Sequence, residues 1–366
     1  MKNAGKISFV TFMTILIFVS FTLLTTQVQA YEENINVQVS IYPIYEIADH
    51  IGGDRIEVEQ FIPQGVEIHG YDPSPGRMTA LEETDAFIYV GAGLEPWAER
   101  AVDSLDSDTV SLLELADKVE LRPYGEAYDH DHDHDEHEDA NDHDHDHDEG
   151  EDHEDTHDHN DDDDHQHGDS NDHDHDHEEE HEEAHDHDHH HGEYDTHIWL
   201  DFNLMQQVAT EISQLFSEMD PEGEEVYREN TAQVQKKLQE LDDTYQEKLA
   251  ERSRDTIIVS HAAFGYMTDN YGLEQRAVTG LSPHDEPSPG TVSDLIDIAR
   301  ERNLEYVFME VLASPQVVEV IAEEAGLEIL TLDPAAGLTE EQIEQDEDYF
   351  SIMYSNLENL KKALIE

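Results

Sequence analysis

The sequence predicts an α/β protein of two lobes, each a mainly parallel sheet flanked by helices, joined by one long helix. Three observations carry this. Short β-branched or apolar runs alternate with segments of helical period in both halves of the chain. Between the halves, residues 224–251 contain neither Gly nor Pro. Once an apolar N-terminal run and a tract of acids and histidines at 126–193 are set aside, about 270 residues remain, enough for two modest domains.

The elements follow in order. Lys2 and Lys6 precede an apolar run from Ile7 to Leu24, and "VQA" closes residues 28–30. This reads as a secretory signal over 1–30, cleaved after Ala30. The alternative is an uncleaved N-terminal anchor, since a run of about 18 residues is near the lower limit for spanning. Either way the body is expected outside the cytoplasm, periplasmic or at the cell surface. The first lobe, 31–219, opens with a strand from Ile35 to Ile41. A short helix follows from Pro43, then a strand at 56–62, a helix near 76–85 and a buried strand at 86–91. Beyond the tract, 204–216 has apolar residues at helical spacing. Asp220 is a natural N-cap, and Pro221 suits a first helical turn. Val226, Val234, Leu238, Leu241, Tyr245 and Leu249 form a stripe, predicting an inter-lobe helix within 220–252. At about 45 Å it is too long for a crossover in a small sheet. The second lobe, 253–366, repeats the pattern: strands at 256–260, near 275–278, at 306–310 and at 328–332 alternate with helices, and a terminal helix runs from about Tyr349 to Ile365.

Composition narrows the partners. The chain carries 91 acidic and 18 basic residues, 26 His and no Cys. The 126–193 tract holds 34 of the acids and 21 of the His, with no Lys or Arg, yet the remainder is still acidic by 39 charges. Such a surface repels nucleic acid and anionic headgroups, and it suits high salt, where screening relieves self-repulsion. Without Cys there is no disulfide, no thiolate metal site and no lipidated cysteine. A borderline metal must be held by imidazole and carboxylate.

Five His lie outside the tract: His50, His69, His197, His261 and His284. His50, at the end of an early helix, reads as an ordinary surface residue. His69 sits in a turn-rich loop after a strand, in "PQGVEIHGYDPSP". His197 sits in "DTHIWLD", His261 follows the strand "TIIVS", and Asp333 follows "EILTL". In open α/β sheets, ligands bind beyond the carboxyl ends of strands. Three imidazoles and a carboxylate form a complete tetrahedral set, best suited to Zn²⁺. Taken singly, each is equally readable as an ordinary surface or core residue.

The segments "VSIYPIYEIADHIGGDRIEVEQFIPQGVEIHGYDPSP", "YVGAGLEPWAERAV", "DTHIWLD", "VSHAAFGYMTDNYGLEQRAVTGLSPHDEPSPG" and "TLDPAAGL" occur together and in order. In this the chain resembles the zinc-uptake ABC-transporter substrate-binding proteins, the cluster A-I metal receptors, over nearly its whole length. The resemblance implies two α/β lobes on a rigid backbone helix, with the metal between them. It implies His69, His197, His261 and Asp333 as metal ligands, with Glu310 behind them orienting a ligand. Manganese-binding relatives usually carry a carboxylate at the third His, so His261 argues for Zn²⁺, as does softness. Some zinc members have Glu immediately before the first ligand; here that residue is Ile68, so Asp333 or a water is expected to complete the shell. His284 departs from the family, which usually has an acidic residue there. It reads as surface ornament, with metal entry as the alternative.

The tract lacks apolar residues to offset the entropy of ordering, so it is expected to be a disordered loop. Its histidines, among them His130, His132, His134, His143, His145, His147, His173, His175, His177, His185, His187, His189, His190 and His191, would offer weak, exchangeable sites beside the cleft. A solvated polyanion with no metal role is the alternative, but solubility alone needs no imidazole. The expected function is capture of Zn²⁺ by a monomer and delivery to a membrane permease with its cytoplasmic ATPase, without bond chemistry. An adhesin or extracellular metal buffer is the second reading. A zinc hydrolase with Glu310 as base is the third, and no HExxH segment supports it.

Overall fold

In the computed structural model, residues 35–105, 109–124 and 194–365 are described. The leader read at 1–30 and the tract at 126–193, with its histidines from His130 to His191, lie outside the described residues. Among the described residues no helix is long and apolar enough to cross a membrane.

The first lobe is built on β1 (Ile35–Val39), β2 (Ile56–Gln60), β3 (Ala86–Tyr89) and β4 (Ser111–Glu114), ordered β2-β1-β3-β4 with every pairing parallel. Val37, Val39 and all four residues of β3 are buried, as in a sheet covered on both faces. The crossover from β1 to β2 is α1 (Tyr42–Gly52), which buries Ile44, Ile47, Ala48 and Ile51 at helical spacing. α2 (Pro75–Leu81) and α3 (Pro96–Val102) complete the lobe's flanks. β5 (Arg122–Pro123) and β6 (Tyr194–Asp195) pair antiparallel, Arg122 opposite Asp195 and Pro123 opposite Tyr194. α4 (Phe202–Met219) begins at Asp201, whose carboxylate accepts from Asn203 and Leu204 N–H as an N-cap.

The long helix, α5, spans Glu224–Leu249 and is 26 residues, about 39 Å, long. It starts later than the sequence predicts because Pro221–Gly223 form a separate 3-10 turn. Asp220 does not cap it; its carboxylate accepts from Arg55 and from Tyr227 instead. The buried stripe is Tyr227, Thr231, Val234, Leu238, Leu241, Tyr245 and Leu249. Val226, expected on that stripe, is 41 % exposed. At about 100° per residue, position 226 lies some 80° off the line through Val234, and position 227 only about 20° off. α5 grips the first lobe through Asn230 on the Ile51 carbonyl and Gln235 on the Gln206 carbonyl.

In the second lobe β7 (Thr256–His261) pairs parallel with β8 (Glu274–Thr279), and β9 (Tyr306–Met309) with β10 (Glu328–Thr331). The helices are α6 (Gly265–Tyr271), α7 (Pro289–Glu301), α8 (Gln316–Ala325), α9 (Glu340–Glu344) and α10 (Tyr349–Leu364). Tyr245 of α5 donates to the Met353 carbonyl of α10, and Tyr271 of α6 donates to Asp242 of α5. The principal core runs without a break from β1 and α1 through α5 to β7 and α10, so one helix is cemented into both lobes. A smaller cluster around Ile258, Val307 and Ile321 fills the second lobe's far side.

Candidate metal centre

Four chain segments carry the residues expected at the centre. His69 lies in the loop between β2 and α2, and Glu67 fixes its backbone by accepting from His69 N–H at 3.0 Å and Gly70 N–H at 3.1 Å. His197 follows β6 and opens a 3-10 turn, Ile198–Leu200. His261 is the last residue of β7. Asp333 lies just past β10, in a loop whose backbone is pinned at both Asp333 N–H and C=O by Asn356 of α10.

The structure brings three of these together. His69, His197 and His261 offer ligand nitrogens that all lie within 4.8 Å of one another. His69 Nε2 is 3.2 Å from His197 Nε2, and His261 Nε2 is 3.3 Å from it. Zn–N bonds of about 2.0–2.1 Å set tetrahedral ligand atoms about 3.3–3.4 Å apart, so the two separations have the length of a tetrahedral edge. The Asp333 carboxylate is not in that group. One of its oxygens accepts from Ala335 N–H and the other from Gln342 Nε2.

Two rings have their tautomer set from behind. His197 Nδ1 is 2.8 Å from Asp195 Oδ1, which also accepts from His197 N–H. His261 Nδ1 is 2.5 Å from Glu310 Oε1, which also accepts from Ser260 Oγ. An ionised carboxylate only accepts, so each Nδ1 carries the proton and each Nε2 presents a lone pair. Those two lone pairs face each other at 3.3 Å. Two acceptors this close repel; a cation between them turns the repulsion into coordination. All four groups of these pairs are buried.

Sequence reasoning singled out Glu310 but not Asp195. The available signal was the D-T-H spacing, which lets an Asp accept from the N–H two residues on. In a chain this acidic it does not stand out. Arg122 flanks the other Asp195 oxygen at 3.6 Å and donates to Asp269 of α6 at 2.5 Å. Trp199, also missed, donates to the Pro334 carbonyl at 2.6 Å, tying the His197 turn to the Asp333 loop. His50 lies away from the centre, its Nδ1 2.8 Å from the Glu46 carbonyl. His284, which reads from the sequence as surface ornament, has its Nε2 2.7 Å from Glu67 Oε2.

Burial, then the neighbouring imidazoles of His197, His261 and His284, hold the His69 pKa well below the usual histidine value. Burial pushes the Asp333 carboxyl up to about 6 against the pull of its hydrogen bonds. A cavity of about 480 Å³ opens beside His69, walled by Ala92–Leu94 of the first lobe and Gly280–Ser282 of the second, with Tyr124 and Tyr194 at its edge. Its first-lobe wall is held by buried Glu95, which accepts from Val90 and Gly91 N–H and from Ser40, and whose pKa burial raises to about 7. Gly91 has φ +83°, and a Cβ there would fall 2.1 Å from Glu114 Oε1.

Comparison with known proteins follows this geometry. The zinc-binding lipoprotein AdcA of Streptococcus pneumoniae is 29 % identical over 329 residues, covering 90 % of this chain and 56 % of AdcA. The chain thus spans little more than half the length of those relatives. The high-affinity zinc uptake system protein ZnuA of Bacillus subtilis is 27 % identical over 333 residues, covering 91 % and 88 % of the two chains. The Zn(II)-bound ZnuA-like domain of S. pneumoniae AdcA superposes with a TM-score of 0.66 at 26 % identity, over 91 % of this chain and all of that one. The laminin-binding protein Lmb of Streptococcus agalactiae, TM-score 0.67 at 22 % identity over 90 % of this chain and 99 % of its own, shares the fold. The family model for the zinc-uptake complex component A, periplasmic, matches residues 37–363, and the chain belongs to that ZnuA family.

Proposed function

We propose that this chain is an extracytoplasmic receptor that captures Zn²⁺ as cargo between its lobes and hands it to an ABC permease. The observation that carries the reading is the pair of Nε2 lone pairs on His197 and His261, aimed at one point by Asp195 and Glu310 and joined there by His69. Three converging imidazole nitrogens form a donor set for a borderline cation. It binds, and the names of the AdcA and ZnuA relatives support binding and uptake over catalysis. In this reading the lobes are 31–219 and 253–366, joined by 220–252.

Asp333 supplies the fourth donor. Its buried carboxylate retains lone pairs beyond those used by Ala335 and Gln342, and a neighbouring cation offsets the burial that raises its pKa. The tract at 126–193 serves as a collector of weakly held Zn²⁺. The support is that Tyr124 and Tyr194, which flank it, edge the cavity beside His69. A monomer suffices, since every donor comes from one chain.

Calorimetric titration with Zn²⁺ tests this. The full chain should bind one ion tightly and several weakly, and a form lacking 126–193 should keep the tight ion alone. Loss of the tight ion with the tract would end the two-lobe reading.

A further inference from the structure

Resting on the zinc reading, we propose that His284 and Glu67 form a clasp across the two lobes that positions His69 and slows cation release. Glu67 is the junction. Its Oε1 accepts from His69 N–H, and its Oε2 accepts from Gly70 N–H and lies 2.7 Å from His284 Nε2. One carboxylate thus holds the backbone of a metal-binding loop in the first lobe and a side chain of the second. His284 is itself anchored. Its N–H donates to Ser282 Oγ, and Thr279 Oγ1 donates to the Ser282 carbonyl. Thr279 ends β8, opposite His261 in the strand register. The clasp therefore begins beside one ligand, His261, and ends on another, His69.

The site needs such a device at this point. The rings of His197 and His261 are each held by a buried carboxylate. Among the described residues no carboxylate partners the His69 ring, so its aim depends on the loop that carries it. The close seating of the clasp also depends on Gly70: a Cβ there would fall 2.6 Å from His284 Nε2. Gly70 has no positive φ, so alanine suits its backbone, and the exposed His284 ring is what would give way. Gly70→Ala should therefore open the clasp while leaving both of its members in place. Glu67 and His284 are positioning residues; neither is proposed to touch the ion.

The test is stopped-flow transfer of Zn²⁺ from the full-length, zinc-loaded chain to excess chelator, with thermal melts as a check on folding. His284→Ala should release Zn²⁺ about two- to tenfold faster, the scale of one net hydrogen bond. His284→Gln, which keeps an N–H at similar reach, should stay near the parent rate. His284→Asp should be faster than His284→Ala, because a carboxylate then faces Glu67. Gly70→Ala should match His284→Ala. In a Glu67→Ala background the His284 substitutions should have no further effect. A parent-like rate for His284→Ala, or an undiminished His284 effect without Glu67, would overturn the clasp and leave zinc binding standing. Absence of a tight ion in the unsubstituted chain would overturn the zinc reading and the clasp together.

Discussion

His261 and His69 face the same point from opposite lobes and are held in different ways. His261 ends a buried strand, is 2 % exposed, and has its ring locked by Glu310. His69 rides on an irregular loop, is only partly buried, and is fixed through its backbone by Glu67. A strand end with a buried carboxylate defines one direction. A loop fixed only through its main chain leaves the ring it carries without a carboxylate of its own to lock it among the described residues. The difference teaches that His261, like His197, has its ring direction set by a buried carboxylate, whereas His69 takes its aim from the loop that carries it.

Substitutions ranked by effect probe that division. The largest effect is expected from His261→Ala, which should abolish tight Zn²⁺ binding in a calorimetric titration; retention of the tight ion would show that His261 is not a ligand. Next, Glu310→Gln and Asp195→Asn should each weaken zinc affinity about 10- to 100-fold by releasing a ring and its tautomer. Glu67→Gln should cost less affinity than either, and if it cost more the contrast between ring-locked and loop-held ligands would be reversed.

Asp333 and His69 give opposite pH dependences in the metal-free chain. The Asp333 carboxyl is raised from 3.8 to about 6, so the native state holds a proton that the unfolded state has lost. Its contribution is full below about pH 4 and is lost as pH rises through 6, about 3 kcal/mol in all. Asp333→Asn should therefore stabilise the metal-free chain at pH 7 by up to about that amount in urea unfolding, while weakening zinc binding. His69 is shifted the other way, down. The unfolded state takes up its proton first, so stability falls as pH drops below about 6.5. His69→Gln should flatten that limb, the smallest effect of the series; an unchanged slope between pH 5 and 6.5 would assign it to other groups.

Much of this was legible in the sequence because strand ends and helical stripes leave periodic marks. The expected strands end within one or two residues of where the sequence places them: those of the first lobe and the last two of the second stop short, and Thr256–His261 and Glu274–Thr279 run one residue further. His69, His197, His261, Asp333 and Glu310 could be singled out because each follows a strand or borders a distinctive loop. What escaped was pairwise. Asp195 is one acid among 91, so its D-T-H spacing to His197 does not stand out from the acidic background. The choice of Tyr227 over Val226 turns on an angular offset that six spaced apolar residues do not resolve. Asp220 has the composition of a cap, but Arg55, 165 residues earlier, competes for it. The contact of His284 with Glu67 joins positions more than two hundred residues apart, which no local pattern encodes.

The two-residue ladder of β5 and β6 has a consequence for how such chains diversify. With Arg122 and Pro123 already seated against Asp195 and Tyr194, the fold sees the excursion between them as a closed stitch. Closure entropy grows slowly, by only about 0.6 kcal/mol for each doubling of the length enclosed. A change in the number of residues between Tyr124 and Tyr194 therefore costs the lobes little, so the sequence there can vary in length while the paired ends and the architecture they close are left alone.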